Sequence, residues 1–404
     1  MAKSSNMSAD LIIIGAGASG LMAASQASKK KRVILLDSSD TPGKKLLLTG
    51  GGRCNVSNDS SLEEYLENIP RGGNFLRSSF SQFFHEDLRK FFHPTLSLMN
   101  EGRRLYPVSQ KAEDVLRFFL SRLQDTQIHL NTKVTSLSKR DGKWQVKTTR
   151  GVFLADKVIV ASGGKSLPKT GSDGSMFSIL SKIGVDMVTP EPTLVSMFSN
   201  TPLKTLSGLT LPDVTLHADH LSHRGSLLFT HKGLSGPVVI NMSSLLPRTF
   251  PLTLSIDFLP DMSEDDVQHI LFQSKKSLSS QAQLLVPDRL AKCLFPESDD
   301  KHQWNKKRRR LAVLRLKAYE AQISSFAGFE SAIVTRGGVA LPQIHPSSLE
   351  HKTLKGLYFA GECLDVDALS GGYNLQIAWS TGFVSGQTKS IPRKKRHDRS
   401  HVAR

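Results

Sequence analysis

Residues 11–37 constrain this chain more than any other stretch. Leu11 to Ile14 is a continuous aliphatic run, Leu21 to Ala27 is alanine-rich and helix-prone, and Val33 to Leu36 is aliphatic again. The order reads strand, helix, strand. Strands joined through such a crossover are parallel, and helices then cover both faces of their sheet, which is why the runs are apolar throughout instead of alternating. Between the first strand and the helix, Gly15-Ala16-Gly17-Ala18-Ser19-Gly20 fits G-x-G-x-x-G in the context that gives the pattern meaning. Gly15 permits the tight turn, Gly17 lets a pyrophosphate approach the backbone, and Gly20 lets the helix pack closely on the strand. The phosphates then meet unpaired N–H groups at the helix N-terminus. Asp37 closes the second strand, 22 residues beyond Gly15, where an acid accepts hydrogen bonds from an adenosine ribose and repels a 2′-phosphate. This is the signature of a dinucleotide site, and it is silent on which dinucleotide.

The remaining bounds come from composition. At roughly 100 to 200 residues per domain, 404 residues allow about two or three domains, which excludes a single small binding module. With 39% hydrophobic and 22% charged residues, the chain is a folded one, neither disordered nor collagenous. Its net charge of +17 attracts phosphates, nucleic acid or acidic lipid without choosing among them. Cys54, Cys293 and Cys363 lie far apart with no C-x-x-C pair, which argues against a disulfide framework and a cysteine zinc site. No metal is expected, and a reducing cytoplasm fits. The run Leu11 to Ile14 breaks at Gly15, and no other stretch approaches the roughly 20 apolar residues of a membrane span. Neither export nor membrane insertion is expected.

Further along, Thr41 to Asn58 is rich in Gly, Lys and small polar residues and reads as a binding loop, and Lys157 to Gly164 is a further strand and turn ending in paired glycines. From residue 191, prolines at 190, 192, 202 and 212 punctuate short alternating runs such as Val214 to His217 and Leu227 to Thr230, the pattern of a small barrel or sandwich. Asp261 to Ser325 is dominated by Leu, Lys, Gln and Ser at helical spacing and includes the basic block Lys306 to Arg310. From Gly356 the first style returns, with the strand GLYFA, a glycine turn and the helix-like AWSTGFVSG. The expected organisation is a discontinuous dinucleotide domain over 1–190 and 336–390, an inserted β-rich domain over 191–260 with 326–335, a helical subdomain over 261–325, and a basic mobile tail over 391–404.

A flavin dinucleotide must be gripped beyond its adenosine half, and Gly361-Glu362, after the strand Leu357 to Ala360, supplies a second contact region. Here the chain resembles the two-dinucleotide-fold flavoproteins. More closely, it is similar to a family of bacterial NAD(P)/FAD-dependent oxidoreductases that includes a reductase of bile-acid intermediates. The resemblance rests on DLIIIGAGASGLMAA, GKKLLLTGGGRCNVSN, TGSDG, FTHKGLSGP and GLYFAGECLDVDALSGGYNLQIAWSTGFVSG, which together span nearly the whole chain. It implies an α/β architecture: a Rossmann-like FAD-binding fold interrupted by an inserted β-barrel-like domain and a helical subdomain.

Carried over residue by residue, the resemblance puts adenosine and pyrophosphate on Gly15, Gly17, Ala18, Ser19, Gly20 and Asp37, and places Lys44, Arg53, Cys54 and Asn55 in a loop touching pyrophosphate and flavin. A Lys and an Arg beside two phosphates act as charge-assisted donors; a plain surface turn is the alternative. It implies that Val134 offers backbone groups to the adenine edge and that Gly163 marks a chain crossing near the cofactor, with a plain strand-ending turn as the alternative for Gly163. Gly361, Glu362 and Asp367 are expected along the ribityl and phosphate region. Gly372, Tyr373, Asn374 and Leu375 are expected to open a helix whose N-terminus faces the isoalloxazine, where its dipole favours negative charge on the ring. Asp365 and Asp367 read alternatively as helix caps, and Cys54 and Cys363 as buried small side chains instead of a redox pair.

His231, in FTHKGLSGP, is the leading candidate for an acid or base, set against a structural role; Tyr373 and Lys232 follow. A second G-x-G-x-x-G is absent, so NAD(P)H, as a transient donor, is expected to visit the substrate face. Two electrons would pass through flavin N5 to or from a small-molecule substrate. The basic runs Lys306 to Arg310 and Arg393 to Arg396 support a rival, an RNA-modifying flavoenzyme of the kind that modifies tRNA. The third reading is a flavin-binding protein without turnover.

Overall fold

The computed structural model describes residues 7–27, 31–201, 204–296 and 304–387. The expected basic tail, 391–404, lies outside the described residues.

The central sheet carries parallel strands in the order Thr126–His129, Val33–Leu36, Met7–Ile14 and Gly151–Val160, with Leu357–Phe359 paired to the end of Gly151–Val160. Two antiparallel strands, Lys143–Thr148 and Val134–Arg140, extend it from the other half of Gly151–Val160. Successive side chains of a strand point to opposite faces, and here each face has its own core. Leu11, Ile13, Leu35 and Ile159 enter one cluster, whereas Ile12, Ile14, Ile34 and Val158 enter the other. That division is the structural reason for the unbroken aliphatic runs.

The end of the chain returns beside its beginning. Helix Tyr373–Gly386 packs along helix Ala18–Gln26 so closely that a Cβ on Gly382 would stand 2.4 Å from the Ser19 carbonyl oxygen, and one on Gly386 2.5 Å from that of Ala23. Any larger residue there would force the helices apart.

Between these ends, two connectors, Met187–Thr193 and Val334–Val339, pair antiparallel and lead to and from a closed barrel. Its order is Met197–Ser199, Gly233–Ser235, Leu221–Thr230, Thr210–Ala218, Leu252–Asp257 and Tyr319–Phe326, the last pairing with the first. Closure leaves no open sheet edge. Helices Glu264–Phe272, Leu278–Ala282, Asp288–Leu294 and Lys306–Lys317 fall between its last two strands, and Val267, Leu290 and Leu316 share one core with barrel residues Leu216 and Ile256. The helical block therefore stops at Lys317, short of the expected Ser325. The stretch YEAQISSF alternates instead of repeating at helical spacing, burying Ala321 and Ile323, and it closes the barrel.

Candidate functional site

The three fingerprint glycines divide their work. A Cβ on Gly20 would lie 1.8 Å from the Gly15 carbonyl oxygen, and one on Gly15 would lie 2.3 Å from that of Ala161, so both are required by packing. Gly17 is different: nothing stands within 4 Å of the place its Cβ would occupy. That opening faces the N-terminus of helix Ala18–Gln26, whose first intrahelical bond runs from the Leu21 N–H to the Gly17 carbonyl, leaving the amides before it available to an anion. Asp37 anchors the turn from the next strand. Its carboxylate accepts hydrogen bonds from the Ala16 N–H at 2.6 Å and the Ser39 N–H at 2.7 Å, with further lone pairs remaining for a hydroxyl donor.

From this turn a cleft of about 590 Å³ runs past the loop at residues 43–55 to the N-terminus of helix Tyr373–Gly386 and the wall of the barrel. In that loop Gly50, Gly51 and Gly52 have φ of 58°, 67° and 88°, a left-handed run that only glycine adopts readily. Lys45 reaches inward from it. Its Nζ stands 2.7 Å from Glu362 Oε2 and 2.5 Å from Ser166 Oγ, while Glu362 Oε1 accepts from Ser166 Oγ at 2.5 Å and the Thr335 N–H at 2.8 Å. Burial alone would push the Glu362 carboxyl up; Lys45, Ser166 and Thr335 override it and hold the group below the ordinary carboxylate range. Glu362 is thus an anion that neutralises Lys45 and ties the loop to the far domain connector.

At the other end, Gly372 (φ 97°) opens helix Tyr373–Gly386, and the first helical bond is from the Gln376 N–H to the Gly372 carbonyl. Asn374 brackets the turn by donating to the Ala368 carbonyl and accepting from the Ala368 N–H, and Asn58 Nδ2 donates to the Gly371 carbonyl. The helix N-terminus is thereby aimed into the cleft at a fixed angle. Around it Leu194, Pro237, Ile240, Ile333, Val334 and Val366 form an apolar wall.

The residues fit a dinucleotide. Of the ten buried side-chain polar atoms without a hydrogen-bond partner among the described residues, three, Asn55 Oδ1, Ser162 Oγ and Ser172 Oγ, belong to residues that line this cleft. Buried polar atoms seldom stay unmet, and an extended ligand carrying hydroxyls and N–H groups supplies what they lack. The open space at Gly17, the helix amides behind it and the carboxylate of Asp37 suit a pyrophosphate and a ribose in turn.

Of the residues singled out in the sequence, Gly15, Gly17, Ala18, Ser19, Asp37, Lys44 and Asn55 line the cleft. So do Val134, Gly163, Glu362, Gly372, Asn374 and Leu375. Others stand off it. Gly20 lies beneath the turn, and Gly361 packs on Ser19 and donates to Thr381 Oγ1. The Arg53 guanidinium pairs with Glu101 and lies 4.2 Å from the Tyr106 ring centroid. Asp367, fully buried, receives a bidentate Arg71 at 2.5 Å and the Ser244 hydroxyl at 3.1 Å. Tyr373 packs edge-on against Tyr65. Cys54 and Cys363 are both buried free thiols, each pushed up to about 12 mainly by burial. His231 and Lys232 sit exposed in the turn between Leu221–Thr230 and Gly233–Ser235, away from the cleft lining. Lys45, Ser166 and Thr335 were not singled out. Lys45 adjoins Lys44 in the same motif, and only the facing of the short helix Lys44–Leu48 separates a lysine paired to Asp40 from one paired to Glu362.

The family described as "HI0933-like protein Rossmann domain" matches residues 9–388. The chain belongs to this family. The 3-dehydro-bile acid delta(4,6)-reductase of Clostridium scindens is 30% identical over 407 residues, covering 93% of this chain and 97% of the relative. The ribosomal RNA dihydrouridine synthase of Escherichia coli is 29% identical over 399 residues, covering 94% and 97%. Among solved structures, the open form of a flavocytochrome c3 fumarate reductase aligns over 96% of this chain and 78% of its own, with a TM-score of 0.53 at 16% identity. The 3-ketosteroid-delta4-(5alpha)-dehydrogenase of Rhodococcus jostii aligns over 96% and 99%, with a TM-score of 0.51 at 14% identity. These likenesses establish a shared fold. Among the described residues no helix is long and apolar enough to cross a membrane.

Proposed function

We propose that this protein is an FAD-dependent reductase that adds two hydrogens across a ring carbon–carbon double bond conjugated to a carbonyl. The observation that carries the reading is the cleft itself, continuous from the Asp37 carboxylate and the Gly17 opening to the helix N-terminus at Gly372 and an apolar wall. The names of the two relatives support the chemistry. A 3-oxo steroid with a delta(4) bond and a uracil ring are different molecules, yet each presents a double bond polarised by an adjacent carbonyl.

FAD, when bound, supplies the electron pair as a hydride from its ring nitrogen. The chain's own residues do the rest. The amides at Gly17 to Ser19 and Asp37 hold the adenosine half, and the loop at Gly50 to Asn55 and the N-terminus of helix Tyr373–Gly386 hold the other end. The positive end of that helix dipole favours negative charge developing beside it. Leu194, Pro237, Ile240 and Ile333 form a dry face for a planar ring, and NAD(P)H is the proposed donor, reaching the same face.

A second reading, in which the ring is a nucleobase within RNA, draws on the net charge of +17 and on helix Lys306–Lys317, where seven of twelve residues are Lys or Arg and none is acidic. One experiment separates the readings. The flavin is reduced anaerobically with NADH or NADPH, then offered a cyclic enone or a ribosomal RNA transcript, and the products are weighed. Reoxidation of the flavin with gain of two hydrogens by the enone supports the first reading; gain by uridine, with salt-sensitive binding, supports the second. If neither NADH nor NADPH bleaches the flavin, the nicotinamide link is removed.

A further inference from the structure

From the edge of the cleft, where Ser370 is part of the lining, a chain of hydrogen bonds runs back to Asn241 and His223, which are not, and joins the barrel to the turn at Gly371–Gly372. Ser370 precedes that turn, and its backbone N–H donates to Asn241 Oδ1 at 2.9 Å. Asn241 is a buried residue of helix Pro237–Leu245, which packs on the barrel. A backbone N–H can only donate, so the oxygen of the Asn241 amide is the atom facing Ser370. Its NH2 group therefore faces His223 Nε2, 3.1 Å away on strand Leu221–Thr230. An amide NH2 offers protons and no lone pair, so the ring nitrogen opposite must be the acceptor. His223 thus carries its proton on Nδ1 and is neutral.

The surroundings agree. Burial lowers the affinity of this imidazole for a second proton, and no charged neighbour opposes that. Across the adjoining strand its partner is Leu216. The nearest charges on the strand pair, Arg224 and Asp213, bind each other and Asp261 on the outer face. From the packed helix the facing group is Asn241 itself.

We infer that His223 is a positioning residue of the cofactor site: as an acceptor it orients Asn241, whose carbonyl fixes the Ser370 amide and hence the turn that opens helix Tyr373–Gly386 onto the cleft. Asn58 and Asn374 hold the same turn from the sheet side and from its own helix, and the His223–Asn241 pair adds the tie from the barrel. The inserted domain, which supplies Pro237 and Ile240 to the apolar wall, is thereby registered against the helix that faces the ring. The inference rests on the flavin reading of the cleft.

The test uses the FAD-loaded protein and two readouts. Nitrogen-15 NMR of labelled histidine should show His223 Nε2 unprotonated and Nδ1 protonated at about pH 7, and Asn241→Asp, which puts an acceptor where the donor stood, should move that ring's titration upward. The rate of FAD release should rise about 3- to 10-fold in His223→Leu, the loss of one part-buried hydrogen bond. In His223→Gln, whose amide oxygen restores the acceptor, it should return to within about two-fold of wild type. A proton on Nε2, or Leu and Gln variants releasing FAD at the same rate, overturns the inference. A protein that takes up no FAD at all contradicts the flavin reading instead, and the NMR result still decides the tautomer.

Discussion

Replacing Gly17 with valine separates cofactor binding from folding, because this glycine is the one in the fingerprint that packing does not demand. Its φ of −80° and ψ of −171° are open to any residue, and the space where a Cβ would go is clear to 4 Å. The stability of the cofactor-free chain should therefore stay within about 0.5 kcal/mol of wild type. The branched side chain fills the opening through which a pyrophosphate reaches the helix amides. A charge-assisted hydrogen bond contributes about 1.5 to 3 kcal/mol, so displacing a phosphate from two of them weakens FAD binding by about 3 to 6 kcal/mol, or about 10²- to 10⁴-fold. Titrating apoprotein with FAD by calorimetry, alongside urea unfolding of the same sample, measures both quantities. Gly20→Ala is the contrasting control: its Cβ would overlap the Gly15 carbonyl at 1.8 Å, and overpacking of this kind costs about 1 to 3 kcal/mol or more of stability with or without flavin. A Gly17→Val protein that binds FAD within threefold of wild type would refute the phosphate assignment.

Four further outcomes follow from the geometry. Asp37→Ala should weaken FAD by about 1.5 to 3 kcal/mol and loosen the Ala16 turn as well, so unchanged affinity in a calorimetric titration removes Asp37 from the ribose site. Glu362→Gln should cost about 1 to 3 kcal/mol, since the carboxylate is only partly buried. The wild-type carboxyl is held low, so its contribution is complete above about pH 4.3 and is lost as pH falls through the lower folded value; denaturation curves of the Gln variant should lack that acid-side loss, and identical pH profiles would contradict the pairing. Asp367→Ala strands Arg71 and should cost about 2 to 4 kcal/mol of stability, while flavin content per folded chain stays constant; selective loss of flavin with normal melting would place Asp367 at the cofactor after all. Alkylation of the native protein should reach Cys293 alone, because Cys54 and Cys363 are buried with thiols raised to about 12, and rapid labelling of either buried thiol would show that its surroundings open.

Much of the architecture was legible because local chemistry dictated it. A strand buried on both faces must be apolar at every position, and Gly15, Gly20 and Gly382 mark where two backbones touch, so the sheet, the fingerprint turn and the returning helix are written in short stretches. The alternation of the barrel strands was equally readable up to residue 260. Strand Tyr319–Phe326 was hidden because it follows a long helical block and its two inward residues, Ala321 and Ile323, are too few to announce a change of period. Within the cleft, lining residues that belong to one local turn were named from the sequence, whereas residues defined by partners distant in sequence were not. Lys45 meets Glu362 across 317 positions, and Asn241 meets Ser370 across 129. Arg53 and Asp367 show what a motif leaves unsaid: each stands within a recognisable segment, yet each is paired, with Glu101 and with Arg71, and neither lines the cleft.

The central claim is that the cleft between the fingerprint turn and the helix at Gly372 holds FAD. The direct measurement is the visible spectrum of the purified protein with mass spectrometry of whatever cofactor heat releases from it. The account predicts a yellow protein that yields FAD at one per chain, or a colourless one that takes it up to that ratio. A protein that stays colourless in excess FAD, while folded by calorimetry, would contradict it.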